Sequence, residues 1–216
     1  MVGGQEEIRV TSRERILANV RSALGRAEGR PLDPAAPLSA PLLRIPLSDG
    51  NLSLNLFVQN FEKLSGKSLV VPDRAAVAPA LAKLLDGKHV VLSGAPYLKA
   101  CGISAMPQVP CAEADVGITS ADYVLAETGS LVLLSSASEP RLISLLPPIH
   151  IAVFPRSCIL RNLDELLSVL PNPAEQTSSM VLITGPSRTA DIEQILVRGV
   201  HGPGQIYALI VDESER

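Results

Sequence analysis

Apolar positions along the chain fall into short runs separated by turn-forming residues, and their spacing alternates between helical and strand periods. Thr11-Ser12-Arg13-Glu14 fits a capping box, with Ile16, Leu17, Val20 and Leu24 on one face and Gly25 as a stop. Pro31, Pro34, Pro37, Pro41 and Pro46 then mark an extended linker. Leu56, Phe57, Phe61 and Leu64 give helical spacing over 52–64. Beyond it, strands are expected at 68–71, 89–92, 151–154, 180–184 and 206–211, and helices at 75–85, 162–170 and 190–197. Asn162 with Glu165 three residues later is an N-terminal cap for the second of these helices. Pro140 suits a further helix start, stopped by Pro147-Pro148. Two apolar runs, Tyr123–Leu125 and Leu131–Leu134, meet around a glycine-containing turn and read as a hairpin. Strands alternating with helices imply an α/β fold: a mostly parallel sheet flanked by helices, with an added hairpin. The organisation expected is a helical arm and Pro-rich linker over 1–50 and an α/β domain over 51–216.

Composition narrows the class. Only 3% of residues are aromatic against 46% hydrophobic, so the core is built from Leu, Val, Ile and Ala. A net charge of -3 gives no reason to expect nucleic-acid binding, and no apolar run approaches a membrane span. The first residues lack a basic segment leading into an apolar one, which argues against a secretory signal. Cys101, Cys111 and Cys158 are odd in number and scattered, so neither a disulfide framework nor a metal motif is legible. A reducing cytoplasm is the simplest compartment. The arginines around the first helix, Arg9, Arg13, Arg15, Arg21 and Arg26, read either as a solvated face on a helix packed against the body or as a docking arm for an acidic partner.

Candidate chemistry begins at Glu127. It sits beside residues that should be buried, and an ionised carboxylate there needs partners or a cleft. Thr128, Gly129 and Ser130 complete its turn. Gly185, Ser187, Arg188 and Thr189 are expected to join a parallel strand to a helix, where free N–H groups and a guanidinium could hold a phosphate or carboxylate. Asp191 and Glu193 would already satisfy the positive end of that helix, so a plain capped start fits equally. Arg141 could clamp an anion or pair with Glu127. His150, entering a strand, could donate to a ligand or hydrogen-bond a loop carbonyl. His201 lies in the glycine-rich turn before the last strand. No Walker loop, dinucleotide fingerprint, HxxH spacing or GxSxG elbow occurs, so no cofactor, metal or serine triad is indicated.

The segments VGITSADY (116–123), AETGSLVLLSS (126–136), PRLISLLPPIHIAV (140–153), ITGPSRTADIE (183–193) and GVHGP (199–203), in this order, resemble the lactate-utilisation protein C family, whose core is the LUD domain. Ser130 stands where that family often has Thr, which keeps the hydroxyl. The resemblance implies a fold like that of sugar-phosphate isomerases and CoA transferases. It also implies a part, with two iron–sulfur partner proteins, in oxidising L-lactate to pyruvate. Lacking those partners' cysteine clusters, the chain is expected to be an accessory subunit holding a small carboxylate or phosphate. The alternatives are an independent CoA-transferase- or isomerase-like enzyme with Glu127 as nucleophile, and a regulatory anion-binding module.

Overall fold

Five short apolar strands carry the architecture. They are β1 (Lys67–Val71), β2 (Val90–Leu92), β3 (Val116–Ser120), β6 (Ile149–Pro155) and β11 (Gln205–Val211). All pair in parallel, in the order β1-β11-β6-β3-β2. The structure is a computed structural model describing residues 11–25, 50–104, 106–190, 196–199 and 201–213. It divides into two compact units, Met1–Pro41 and Leu42–Arg216. Among the described residues no helix is long and apolar enough to cross a membrane.

In the first unit, α1 spans Ser12–Ala23 and is capped as its sequence predicts. Thr11 Oγ1 accepts from Glu14 N while the Glu14 carboxylate accepts from Thr11 N, which satisfies two of the free donors at the helix start. The helix ends at Ala23, just short of Gly25, and none of its residues is buried. The Pro-rich linker and the arginines at 9 and 26 lie outside the described residues.

In the second unit, residues two apart on one strand face the same side, so each buried strand supplies both faces of the sheet. Ile151 and Val153 of β6, with Ile118 and Leu209, pack under α3 (Val77–Leu85), through Val77 and Leu81, and under α4 (Pro96–Ala100), through Leu98. Ala152 and Phe154, with Ala208 and Ile210, pack instead against α2 (Gly50–Lys63). All three phenylalanines of the chain meet there: Phe57 and Phe61 stack with centroids 5.2 Å apart, and Phe154 meets Phe57 edge-on at 5.9 Å.

The same face is covered by a second sheet. The hairpin β4 (Tyr123–Leu125) and β5 (Ser130–Leu134) lies between β7 (Ile159–Leu160) and β8 (Met180–Ile183), in the order β7-β4-β5-β8. Leu131 and Leu133 of β5 point into the α2 core, while Val132 packs with Leu166 of α5 (Leu163–Val169). Asn162 caps α5, accepting from Glu165 N, and a short α6 (Pro173–Gln176) leads to β8.

Three expectations are corrected. The strand at 180–183 is not part of the parallel sheet; it pairs antiparallel with β5. Of the helix expected over 190–197, residues 191–195 lie outside the described residues, and the described ends are strands, β9 (Arg188–Ala190) and β10 (Leu196–Arg198), paired antiparallel. Local acidic residues suggested a helix start, but cross-strand pairing overrides so weak a propensity. Asp191 and Glu193 themselves lie outside the described residues. The segment after Pro140 forms only a 3₁₀ turn, Arg141–Ser144.

Candidate functional site

The turn at Glu127 is held from three sides. Asn60 on α2 donates through Nδ2 to the carbonyls of Ala126 (2.9 Å) and Glu127 (3.0 Å). Ala126 N and Glu127 N donate to Leu160 O and Arg161 O. Gly129 adopts φ +62°, and a Cβ there would stand 2.5 Å from Phe61 N, so only glycine lets the turn touch the helix backbone. Glu127 itself is not buried. Its side chain is 40% exposed and pairs with Arg161 Nε at 2.7 Å, so Arg161, not Arg141, is its partner. Apolar neighbours in sequence suggested burial, but the tip of a hairpin turns outward even when both strands are buried.

The Gly185 segment converges on the same helix end. Gly185, at φ +106°, packs against Leu64, and Arg188 donates to Leu64 O and to Ser65 Oγ. These bonds satisfy a carbonyl at the C-terminus of α2, where a cation complements the helix dipole. Thr128, Ser130 and Thr184 form a chain of hydroxyls, with oxygen separations of 2.8 and 2.7 Å. Ser187 joins the last loop: its N–H donates to Pro203 O, and Gly199 N donates to Ser187 O. His201 is exposed in that loop, and Thr189 lies in β9. The Gly185–Thr189 segment therefore follows an antiparallel strand, not the carboxyl edge of the parallel sheet, and opens no helix.

The carboxyl edge holds a different group. Thr119 and Ser120 are the last two residues of β3. Thr119 lines a crevice with Leu133, Ser135, Glu139, Arg141 and Ser144. The crevice volume is about 10 Å³, room for one water. His150 lies behind it, the second residue of β6 and so at the strand entrance as expected. Its Nε2 is 2.9 Å from Thr119 Oγ1, its Nδ1 has no hydrogen-bond partner, and burial pushes its pKa down to about 4. The ring is therefore neutral at pH 7. Glu139 Oε1 accepts from both Ser120 N (2.9 Å) and Ser120 Oγ (2.6 Å). Burial raises the Glu139 pKa above the usual carboxylate range, and the bonds from Ser120 oppose that rise. Arg141 is exposed at this crevice, and Ser144 is buried with its hydroxyl donating to Arg141 O. Of the candidates read from sequence, Arg141 lines this crevice and His150 reaches its wall through Thr119. Glu127 to Ser130 gather with Gly185 and Arg188 around α2.

A wider cavity of about 650 Å³ opens at the amino ends of the parallel strands, lined by Lys88, Asp115, Pro148, Gly199, Gly204 and Gln205 among others. Asp115 is engaged with His89, accepting from His89 N (2.8 Å) and lying 3.3 Å from Nδ1. Among the described residues no group of three His, Cys, Asp or Glu side chains is placed to hold a metal ion.

The LUD domain matches residues 110–211, which contain the hairpin, the crevice and the last loop. Uncharacterized protein YkgG of Escherichia coli is 36% identical over 160 residues, covering 64% of this chain and 69% of that one. The chain belongs to the lactate-utilisation protein C family. Lactate utilization protein C of Halalkalibacterium halodurans is 43% identical over 105 residues, 47% of this chain and 46% of the relative. The Bacillus subtilis protein of the same name is 40% identical over 105 residues. The matched region thus spans about half the length of those two relatives. Among solved structures, a DUF162 family protein from Deinococcus radiodurans superposes with a TM-score of 0.60 at 21% identity, covering 77% of this chain and 99% of that one, and so shares the α/β fold.

Sequence reasoning missed Thr119, Glu139, Ser144, Asn60 and Arg161. Thr119 does carry a signal, a polar residue inside an apolar strand run, here Val116-Gly-Ile-Thr. Asn60 and Arg161 had none, because their partners lie 66 and 34 residues away.

Proposed function

We propose that this chain is an accessory component of a system oxidising L-lactate to pyruvate. It works with iron–sulfur partner proteins and holds a small carboxylate in a cleft. The family membership and the names of the curated relatives support the lactate assignment. The observation that carries the accessory reading is the state of Glu127. A carboxylate attacks an acyl group well when it is desolvated and aimed at its target. Glu127 is half-exposed, neutralised by Arg161, and part of a turn whose carbonyls are tied to Asn60. That turn clamps the second sheet onto α2. This favours a role for the motif in holding the fold and weighs against an independent transferase built on Glu127.

The test is lactate-dependent dye reduction by the two iron–sulfur partners, with and without this chain. A rate that requires the chain supports the accessory role. Equal rates with all proteins folded and the partners carrying their clusters would remove it from lactate oxidation.

A further inference from the structure

A strand at the edge of a sheet presents unpaired N–H and C=O groups, and folded proteins blunt such edges with cover, charge or shortness. The two larger sheets end in β1, β2, β7 and β8. β2 is buried and covered: Val109 N donates to Val90 O at 3.0 Å, and Leu92 N donates to Gln108 Oε1 at 3.1 Å. β1 begins on a charge, Lys67. β7 has only two residues and leads straight into Arg161. β8 carries none of these devices. From Ser178 to Thr184 the sequence holds no charge and no proline, and Leu182 is 41% exposed.

The pairing with β5 fixes which groups of β8 are free. Ser135 N donates to Ser179 O, so Val181 and Ile183, two and four residues on, also turn their backbone groups toward β5. Met180 and Leu182 turn theirs to the open edge, where no backbone group among the described residues meets them. The Met180 and Leu182 side chains lie on the face of the sheet that Val132 shares, since Val132 stands opposite Leu182.

We propose that β8 pairs antiparallel with β8 of a second copy of this chain, joining two four-stranded sheets into one. The free groups set the register. With Val181 opposite Val181 of the second copy, Met180 of each copy faces Leu182 of the other, and each of these pairs exchanges two hydrogen bonds. Every outward group of β8 is then satisfied. Met180 and Leu182 of both copies form one apolar strip across the seam. The absence of charge favours a second copy over a different protein. A charge at 181 would meet its own image, and like charges directly opposite are destabilising. An uncharged edge offers nothing by which a partner of opposite sign is chosen, whereas it matches itself residue for residue, as a two-fold interface requires.

Sedimentation of the full chain over a range of concentrations tests this, and a monomer–dimer equilibrium is expected. Leu182→Lys sets a cation into each half of the strip at an exposed position and should weaken the dimer about tenfold or more. Val181→Cys reports the register independently. Residues opposite each other in a non-hydrogen-bonded pair have Cα atoms about 4.5 Å apart, within disulfide range. Mild oxidation should therefore link Val181→Cys to its copy at least about tenfold faster than the wild type, with its three free cysteines, and than Val70→Cys, an exposed position on β1. A monomer at every concentration would overturn the proposal. So would a dimer that Leu182→Lys leaves unchanged, or cross-linking of Val181→Cys no faster than that of Val70→Cys.

Discussion

Replacing Gly129 by alanine tests whether the turn around Glu127 is a clamp. Two costs arise. The first is the left-handed backbone at φ +62°, worth about 1–2 kcal/mol for a residue with a Cβ. The second is contact: the new Cβ would lie 2.5 Å from Phe61 N, 2.7 Å from Asn60 C and 2.9 Å from Phe61 Cα. Those atoms belong to a helix backbone and cannot rotate away, so the hairpin must lift off α2 and loosen the Asn60 bonds. Gly87 provides the control. It has nearly the same backbone, φ +66°, but nothing within 4 Å of its Cβ position. Gly87→Ala should therefore cost only the conformational part, about 1 kcal/mol, partly offset by a stiffer unfolded chain. Gly129→Ala should cost about 3 kcal/mol or more, since overpacking adds about 1–3 kcal/mol to the strain. In thermal unfolding the two losses correspond to about 2–4 °C and about 6–12 °C for a domain of this size. Equal losses at the two positions would refute the clamp, because contact with α2 is what distinguishes them.

Two further outcomes follow from the same geometry. Asn60→Ala removes both side-chain donors to the turn and should lower stability by about 1–3 kcal/mol in urea unfolding; a loss below the error of the measurement would mean that water replaces Asn60 without cost. His150, with its pKa held near 4 in the fold against 6.5 in the unfolded chain, takes up a proton on unfolding throughout that interval. Its contribution to stability is intact above pH 6.5 and falls as the pH drops toward 4, by about 3 kcal/mol in all. Glu139 and Asp122, whose pKa values burial raises, act in the opposite sense, so the comparison to make is wild type against His150→Gln. The variant should lose stability less steeply between pH 6.5 and 4; parallel curves would remove His150 from the acid response.

The regular elements were legible where one force dominates. Strand runs such as Ile149–Pro155 and Gln205–Val211 are apolar because both faces of the sheet are covered, and α3 and α5 follow from apolar spacing. The clearest failure is at β8–β10. Whether Met180–Ile183 joins the parallel sheet or pairs with β5 depends on residues some fifty positions away, which no local window contains. The candidate site divides the same way. Glu127, Thr128, Gly129 and Ser130 were conspicuous as a polar interruption in an apolar run, yet the interruption marks a turn pressed onto α2. Arg141 and His150 were visible one by one. The residue that links them, Thr119, differs from its neighbours by one hydroxyl in an otherwise ordinary strand. Asp191 and Glu193, read as the start of a helix, carried a weak local signal, whereas β9 and β10 are defined by pairing with each other.

The most direct test of the account compares Glu127→Gln with Arg141→Ala in the reconstituted lactate-dependent dye assay, with both variants checked for unchanged folding. Glu127 is exposed and ion-paired, and such pairs contribute little, at most about 1 kcal/mol. Glu127→Gln should therefore keep the rate within about twofold, while Arg141→Ala should lower it by about tenfold or more at subsaturating lactate. A lost rate with Glu127→Gln and a retained rate with Arg141→Ala would return the chemistry to the hairpin turn and contradict the account.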